Sequence, residues 1–276
     1  MSLPNTRFGA EGIAATLAGK KRLWFIGIGG VHMALMAEMA MGMGYAVSGS
    51  DRVASERTER LFRLGIPIFF GHRAERVVGA DAVIYTLAVS PDNPEYAAAR
   101  HLGIPVISRA DLLSFLMKDH QNRIGVAGCH GKSTVTAMLS EIFTVAGREP
   151  TVFCGAPLRQ EPHTGRGVDC IFEACEYEDS FLCFAPTLAV ILNVGMDHVD
   201  YFASREQVRA SFCRFAALAR GGRVLVNAED AAALACARGK RKPVLSALQS
   251  PALRHVQTAL SGNRASIGHL PHLRKN

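Results

Sequence analysis

The chain has 276 residues, which is enough for about two domains that each bury a hydrophobic core. Its formal net charge of +7 comes from one end, because eight of the 31 lysines and arginines follow Asp230 and no acidic residue does; the first 230 residues carry 23 basic and 24 acidic side chains. A neutral body argues against nucleic acid as a partner, and no apolar run approaches the roughly 20 residues that a membrane span needs.

Seven cysteines occur, with no Cys-x-x-Cys pair and no histidine spacing typical of a zinc site. Several lie within apolar runs, so we expect buried free thiols in a reducing cytoplasm and no disulfide framework. The segment after Met1 lacks the apolar core of a signal peptide. Together these features predict a cytoplasmic protein without membrane insertion.

Short apolar segments alternate with helix-forming segments over the first 120 residues. Strands are predicted at residues 22–28, 45–48, 66–70, 82–86 and 105–107, and helices at residues 31–43, 56–64, 95–102 and 109–117. This alternation is typical of a parallel sheet that helices cover on both faces. Residues 1–120 are therefore predicted to form a Rossmann-like α/β domain.

A polar segment at residues 118–123 interrupts the pattern, and a second α/β unit follows it. Its predicted strands are residues 124–127, 169–173, 188–193 and 223–227, and its predicted helices are residues 132–146, 205–219 and 230–238. We place this second domain at residues 121–245. Beyond about Lys240 the periodicity fades, and residues 246–276 are predicted to form a basic, poorly ordered tail.

The second domain opens with a glycine-rich turn between a predicted strand and a predicted helix. The turn reads Gly128-Cys129-His130-Gly131-Lys132-Ser133-Thr134. Backbone N–H groups in such a turn converge on phosphate oxygens, and the positive end of the helix dipole adds to the attraction. Lys132 would neutralise the β- and γ-phosphates, while Ser133 or Thr134 would supply a hydroxyl ligand to Mg²⁺. The spacing is not the strict Gly-x4-Gly-Lys-Ser loop, but its position predicts an ATP site.

An earlier glycine-rich turn, Gly27-Ile-Gly29-Gly30, follows the first predicted strand. Doubly wound sheets usually bind a nucleotide diphosphate at this turn. The third glycine of the dinucleotide fingerprint would fall at His32, which weakens the case for NAD, although Asp51 after the second strand could reach a ribose. We predict a nucleotide-phosphate site here, with an NAD-dependent oxidoreductase as the alternative.

Polar segments also follow two later strands, and the carboxyl ends of parallel strands meet at one edge of a sheet. Glu173-Ala-Cys-Glu176 places carboxylates after one strand, where they could bind Mg²⁺ or form a solvated acidic loop. Residues 193–200 follow the next strand, and their His198 is a candidate for a metal or phosphate site.

Taken in this order, the motifs resemble those of the Mur ligases. The resemblance spans about residues 20–230 and rests on Gly27-Ile-Gly-Gly30, Ser48-Gly-Ser50-Asp51, Asp92-Asn-Pro-Glu95, Arg109-Ala110, Gly128 to Thr134, Glu173-Ala-Cys-Glu176 with Ser180-Phe181, and Asn193 with Asp197-His198-Val-Asp200. Each motif is weak alone, whereas the ordered set is specific.

The resemblance implies a Rossmann-like domain for a UDP-sugar, a central P-loop ATPase domain and a C-terminal domain, which we expect this chain to lack. Members of the family use ATP and Mg²⁺ to join an amino acid to the carboxylate of a UDP-muramoyl precursor. The motifs most resemble those for adding L-alanine to UDP-N-acetylmuramate in peptidoglycan precursor synthesis. The carboxylate attacks the γ-phosphate to give an acyl phosphate, which the amine displaces to form the amide.

The resemblance also implies roles for individual residues. Lys132 would stabilise charge on the transferring phosphoryl group, and Glu173 and His198 would complete the catalytic set. The Mg²⁺ ligands would be Ser133, Glu173 and His198. ATP would contact the whole loop from Gly128 to Thr134, Cys129 and His130 included, together with Asn193. The UDP site would be lined by Gly27, Gly29, Gly30, Ser50 and Asp51.

Three departures from the family pattern bear on activity. His32 stands where a small residue is usual, Cys129 replaces a threonine, and Cys175 replaces an aspartate. With the C-terminal domain expected to be missing, these departures support a second hypothesis, a non-catalytic paralogue or fragment that binds UDP-sugar or ATP. A related ligase that reattaches recycled peptides shares the motifs and is also an alternative.

Overall fold

The computed structural model describes residues 3–158 and 164–237 together with the backbone of residues 242–246. These residues form two parallel sheets, each packed against helices. The expected α/β class, with a Rossmann-like sheet followed by a P-loop sheet, is confirmed. Among the residues described, none of the helices has the length and apolar character of a membrane span.

The first sheet contains β1 (Arg22–Ile26), β2 (Ala46–Asp51), β3 (Ile68–Phe70), β4 (Ala82–Tyr85) and β5 (Val106–Ser108). Its strand order is β3-β2-β1-β4-β5, and all neighbouring pairs are parallel. The accompanying helices are α1 (Gly9–Leu17), α2 (Val31–Gly42), α3 (Glu56–Arg63), α4 (Pro94–His101) and α5 (Arg109–Leu116), with a 3₁₀ helix at Ala74–Val77.

The central strand β1 is buried on both faces, as expected when helices cover a parallel sheet on each side. Leu23 and Phe25 belong to one apolar cluster, whereas Trp24 and Ile26 belong to another. Successive side chains of a strand point to opposite faces, so this alternation explains why the strand reads as a continuous apolar run.

The second sheet contains β6 (Asn122–Ala127), β7 (Thr151–Phe153), β8 (Asp169–Glu173), β9 (Leu188–Ile191), β10 (Arg223–Asn227) and β11 (Lys242–Ser246). Its order is β11-β10-β9-β6-β8-β7, again parallel throughout. The helices are α6 (Lys132–Val145), α7 (Arg205–Leu218) and α8 (Ala231–Ala237), with 3₁₀ helices at Tyr177–Cys183 and Arg220–Gly222.

Close aromatic packing fixes the 3₁₀ helix Tyr177–Cys183 against the second sheet. The ring of Phe181 stacks on Phe215 of α7 with centroids 4.9 Å apart. A Cβ added at Gly125 of β6 would lie 2.9 Å from Phe172 and 3.1 Å from Phe215, so only glycine lets these rings approach the strand. The segment after β8 is thereby held over the carboxyl edge of the sheet.

Helix α5 connects the two sheets through packing. It contacts α1 and α2 of the first domain and the 3₁₀ helix Tyr177–Cys183 of the second. One apolar cluster runs from residues of β1 and α2 through α5 to residues of β8 and α7. The two domains therefore share a continuous buried core in this structure.

Several elements of the structure were not predicted from the sequence. Helix α1, the three-residue strand β7, the 3₁₀ helix Tyr177–Cys183 and strand β11 were not expected. β11 falls where the periodicity had already faded and contains Pro243, a residue usually kept out of central strands. The basic tail predicted at residues 246–276 begins at the last residue of β11 and otherwise lies outside the described residues.

The expectation of free thiols throughout is wrong for one pair. Cys213 of α7 and Cys236 of α8 form a disulfide, and the other five cysteines are free. The two positions are 23 residues apart, and the pairing arises because α7 and α8 pack against each other beside β10. Sequence spacing alone carries no signal for such a contact.

Candidate functional site

The glycine-rich turn leaves β6, the strand between β8 and β9, and enters α6 at Lys132. Gly131 is the residue before the helix and has a φ of 85°, in the left-handed region that favours glycine. A Cβ at Gly128, whose φ is 153°, would lie 3.0 Å from Leu192. Glycine at both positions lets the backbone turn tightly enough to present N–H groups at the helix start.

Lys132 is held beneath this turn by a buried carboxylate. Its Nζ donates to the carbonyl oxygen of Gly128 at 2.6 Å and to the two carboxylate oxygens of Glu176 at 3.0 and 3.2 Å. The side chain of Glu176 has no exposed surface, so the lysine supplies the opposite charge that a buried carboxylate requires. The Lys132 ammonium group, predicted to contact phosphates, therefore already lies at the glycine-rich turn.

Three metal-ligating groups converge next to this ion pair. Glu176, Asp197 and His198 each offer a ligand atom, and these atoms lie within 4.8 Å of one another. The Nε2 of His198 is 3.7 Å from Glu176 and 4.0 Å from Asp197. Two carboxylates and an imidazole fit a divalent cation, and the carboxylate oxygens are the hard ligands that Mg²⁺ prefers. His198, predicted as a metal ligand, therefore lies beside two carboxylates that could bind the same cation.

Glu173, expected to act beside His198, lies elsewhere. Its Oε1 accepts a hydrogen bond from the backbone N–H of Gly155 at 2.5 Å, just beyond β7. The chain turns after β8, so that Glu176 instead of Glu173 reaches Lys132 and His198. Both carboxylates carried the same sequence signal, and only the conformation of the turn separates them.

A set of hydrogen bonds joins the glycine-rich turn to the segment after β9. The side-chain amide of Asn193 accepts from the His130 N–H and donates to the His130 carbonyl, both at 3.0 Å. The Cys129 sulfur contacts the N–H and the carbonyl of Gly195 at 3.1 Å each. Burial raises the pKa of Cys129, so the thiol stays protonated and can donate. Asn193, predicted to contact ATP, shapes the loop.

Ser133 and Thr134 occupy the first turn of α6. Ser133 is half-buried and Thr134 is exposed. The thiol of Cys154, which follows β7, donates to the backbone carbonyl of Ser133 at 3.4 Å. Both hydroxyl-bearing residues therefore stand at the helix start, where the sequence analysis expected a ligand to Mg²⁺.

The other glycine turn borders a cleft of about 600 Å³ in the first domain. The cleft is lined in part by Gly27, Gly29, Gly30, Asp51, Arg52, Arg57 and His72. A Cβ at Gly29 would lie 2.9 Å from the Asp51 carboxylate, which accepts the Gly29 N–H at 2.8 Å. Basic residues at this rim suit an anionic ligand. Arg57 and His72 were missed because no motif marks them.

Ser50, expected to line the same site, is fully buried. Its hydroxyl donates to Glu95 at 2.5 Å and lies 3.0 Å from Nδ1 of His72. Ser50 therefore hydrogen-bonds to a histidine that lines the cleft and is not itself one of the lining residues.

His32 lies between the two domains. Its Nδ1 accepts a hydrogen bond from Arg109 at 2.7 Å, and its ring meets Phe153 of β7 edge-on with centroids 6.0 Å apart. Burial, and then the charge of Arg109, lowers the pKa of His32 from 6.5 to about 3. The imidazole is neutral near pH 7, and a residue where the family usually has a small one becomes an interdomain contact.

Comparisons with known proteins match both domains of the chain. Residues 22–121 match the model of the Mur ligase family, catalytic domain, and residues 126–258 match that of the Mur ligase middle domain. The chain is 42% identical over 230 residues to the UDP-N-acetylmuramate--L-alanine ligase of Caldanaerobacter subterraneus subsp. tengcongensis, covering 82% of this chain and 50% of that protein. The corresponding ligase of Clostridium tetani is 42% identical over 214 residues, 76% of this chain and 47% of that protein.

Solved structures show the same likeness. The UDP-N-acetylmuramate-alanine ligase MurC of Thermotoga maritima superimposes with a TM-score of 0.71 at 31% identity, over 82% of this chain and 52% of that one. A UDP-N-acetylmuramate:L-alanyl-gamma-D-glutamyl-meso-diaminopimelate ligase from Neisseria meningitides gives a TM-score of 0.69 at 24% identity, covering 82% and 77%, and shows the fold alone.

The chain spans about half the length of the curated relatives that it matches. The two matched models cover the first sheet with its anion-suited cleft and the second sheet with its glycine-rich turn. The chain belongs to the Mur ligase family.

Proposed function

We propose that this chain carries the UDP-sugar and ATP sites of a ligase that joins L-alanine to the carboxylate of UDP-N-acetylmuramate, in peptidoglycan precursor synthesis. The observation that supports this most strongly is the convergence of Lys132, Glu176 and His198 beside the glycine-rich turn. A loop for phosphates and a group of ligands for a divalent cation meet there, and phosphoryl transfer depends on positioning and charge stabilisation.

The UDP-sugar is assigned to the cleft of the first domain. Gly29 and Gly30 lie at the start of α2, where backbone N–H groups and the helix dipole favour a diphosphate. Arg52 and Arg57 at the rim would offset its charge. Asp51 already accepts the Gly29 N–H, so a ligand that reaches this turn would meet a backbone held in place.

ATP is assigned to the turn from Gly128 to Thr134. Lys132 would move from Glu176 toward the β- and γ-phosphates, and the acyl phosphate would form where the substrate carboxylate reaches the γ-phosphate. A bound Mg²⁺ would neutralise phosphate charge. Ser133, Glu173 and His198 stay predictions as its ligands, and the geometry adds Glu176 and Asp197 as candidates.

Isothermal titration of the purified chain with Mg-ATP, and separately with UDP-N-acetylmuramate, tests the assignment. The variant Lys132→Met should weaken Mg-ATP binding by about tenfold to a hundredfold, as expected for a charge-assisted contact of about 1.5–3 kcal/mol. Lys118→Met, which changes a lysine over the ring of Phe115, is the matched control. No heat with either ligand would contradict the proposal.

Measuring the phosphate released from Mg-ATP in the presence of UDP-N-acetylmuramate and L-alanine separates a ligase from a binding protein. Release that depends on L-alanine supports the ligase, whereas binding of both ligands without release favours the non-catalytic alternative. The NAD alternative gains no support from the first glycine turn, because His32 at the third fingerprint position packs against Arg109 and Phe153.

A further inference from the structure

Residues 3–8, here called the bridging segment, precede α1 and lie outside both matched family models. Several hydrogen bonds join the segment to the first domain, those of Thr6 with Ser108 and Asp111 included. The Tyr85 hydroxyl donates to the carbonyl oxygen of Pro4 at 2.5 Å, and the Asp111 carboxylate accepts the N–H of Phe8 at 2.9 Å. Its position relative to the first sheet is therefore fixed by groups that are themselves buried.

The same segment reaches the second domain. The side-chain amide of Asn5 donates to the backbone carbonyl of Glu178 at 3.0 Å and to the hydroxyl of Ser180 at 2.9 Å. Two residues later, Arg7 lies 3.7 Å from the carboxylate of Asp179. All of these second-domain contacts fall on three consecutive residues.

Those three residues lie in the turn that directly follows Glu176. Glu178 has φ 52° and ψ 28°, and Asp179 has φ 56° and ψ 24°, so two successive non-glycine residues adopt the left-handed conformation. Such a conformation is unfavourable and persists only where surrounding groups hold it. The N–H of Asp179 donates to the carbonyl of Glu176 at 2.9 Å, which ties the turn to the residue that contacts Lys132 and His198.

We propose that Asn5 is a positioning residue: its amide holds the left-handed Glu178–Asp179 turn and thereby keeps the Glu176 carboxylate between Lys132 and His198. The first domain would in this way set the geometry of the cation-binding groups of the second. The hydrogen bonds of the Asn5 side chain go to Glu178 and Ser180, neither of which is assigned to ATP or the UDP-sugar. The inference rests on the proposed function, because it gives Glu176 a place in the Mg-ATP site.

The variant Asn5→Ala tests the role through the Mg²⁺ dependence of ATP binding. We expect the Mg²⁺ concentration for half-maximal binding to rise about threefold to tenfold, the effect of losing one or two hydrogen bonds, while binding without Mg²⁺ changes less. Asn122→Ala is the matched control. The Asn122 amide donates to Asp169 at 2.8 Å at the amino ends of β6 and β8, away from the cation-binding groups. An unchanged Mg²⁺ dependence in Asn5→Ala would overturn the proposal.

Hydrogen exchange of the ligand-free chain keeps this inference separate from the proposed function. The N–H groups of Asp179 and Phe181 are hydrogen-bonded to Glu176 and Cys175 within the turn, so both should exchange at least about threefold faster in Asn5→Ala and at the wild-type rate in Asn122→Ala. Unchanged exchange refutes the role of Asn5. A wild-type chain that binds no nucleotide refutes the proposed function, while the exchange result still decides about Asn5.

Discussion

The ion pair between Lys132 and Glu176 puts opposite charges where the phosphates of a nucleotide are expected. The carboxylate has no exposed surface, and the lysine side chain is 16% exposed. A phosphate approaching Lys132 would compete with Glu176 for the ammonium group and would be repelled by the carboxylate unless a cation lay between them. In the proposed ATP site, the pair would therefore link nucleotide binding to the presence of a divalent cation.

This link predicts effects of opposite sign for Glu176→Gln. Removing the negative charge should tighten ATP binding in the absence of Mg²⁺ by about threefold to tenfold, and should reduce the further gain that Mg²⁺ provides. Titration calorimetry with ATP in EDTA and in Mg²⁺ measures both quantities. Glu229→Gln, an exposed position after β10, makes the same change in net charge and is the control. Equal affinities of wild type and Glu176→Gln in EDTA would contradict the prediction.

The identity of this partner illustrates the limit of sequence reasoning at single residues. Glu173 and Glu176 both follow a buried strand and carry the same chemistry, and the sequence analysis assigned the metal role to Glu173. Glu176 is the one that contacts Lys132, and the backbone just after it passes through left-handed residues at Glu178 and Asp179. Glycine or asparagine would have signalled that conformation, and this chain has neither at those positions.

At the scale of elements, the carboxyl ends of β6 and β9 are joined side by side. The side chain of Asn193 accepts the N–H of His130 and donates to the His130 carbonyl, and the Val194 N–H donates to Asp230, the residue before α8, at 3.2 Å. The glycine-rich turn is therefore supported by a neighbouring strand and, through Asp230, by a helix. Support of this kind keeps backbone N–H groups oriented before a ligand arrives.

Asn193→Ala should loosen the glycine-rich turn. Two hydrogen bonds of about 1 kcal/mol each are lost, so Mg-ATP binding should weaken by about tenfold to thirtyfold. Asn227→Ala is the matched control at the end of the adjacent strand β10, where the side chain accepts the Glu229 N–H at 3.1 Å. Calorimetric dissociation constants for both variants, with their melting temperatures, check the effect. Equal losses of affinity in the two variants would show that Asn193 has no special role.

The elements that were predicted correctly are those with a strong pattern of apolar residues. Long periodic segments such as α6 and apolar strands such as β6 were predicted within a few residues of their observed bounds. Helix α1 was missed because it starts with glycine and has no capping side chain, and β7 because three residues carry too little periodicity. Predicting the strands was enough to place the site segments together at the carboxyl ends of the sheet. It was not enough to predict which of their side chains contact one another.

At the scale of the whole molecule, the domains meet through half-buried polar groups as well as through the shared core. Arg109 at the start of α5 is half-buried and donates to His32 of α2, and the His32 ring contacts Phe153 of β7. Nε2 of the same imidazole is buried and has no hydrogen-bond partner among the described residues. A neutral histidine accepts from Arg109 through Nδ1, whereas a protonated one would place a second positive charge beside Arg109.

The interface should therefore make stability depend on pH through His32. Its pKa is lowered from 6.5 to about 3 in the folded chain, so between these values the unfolded state binds a proton that the folded state does not. The free energy of unfolding of the wild type should fall relative to that of His32→Asn as the pH decreases from about 6.5 toward 3, by up to about 1.4 kcal/mol per pH unit. Above pH 6.5 the difference should be constant. Urea denaturation from pH 4 to 8 measures it, with His101→Asn, an exposed histidine of α4, as the control for losing one histidine. A difference between wild type and His32→Asn that stays flat below pH 6.5 would contradict the prediction, because it would mean that the folded and unfolded chains bind the proton of His32 equally well.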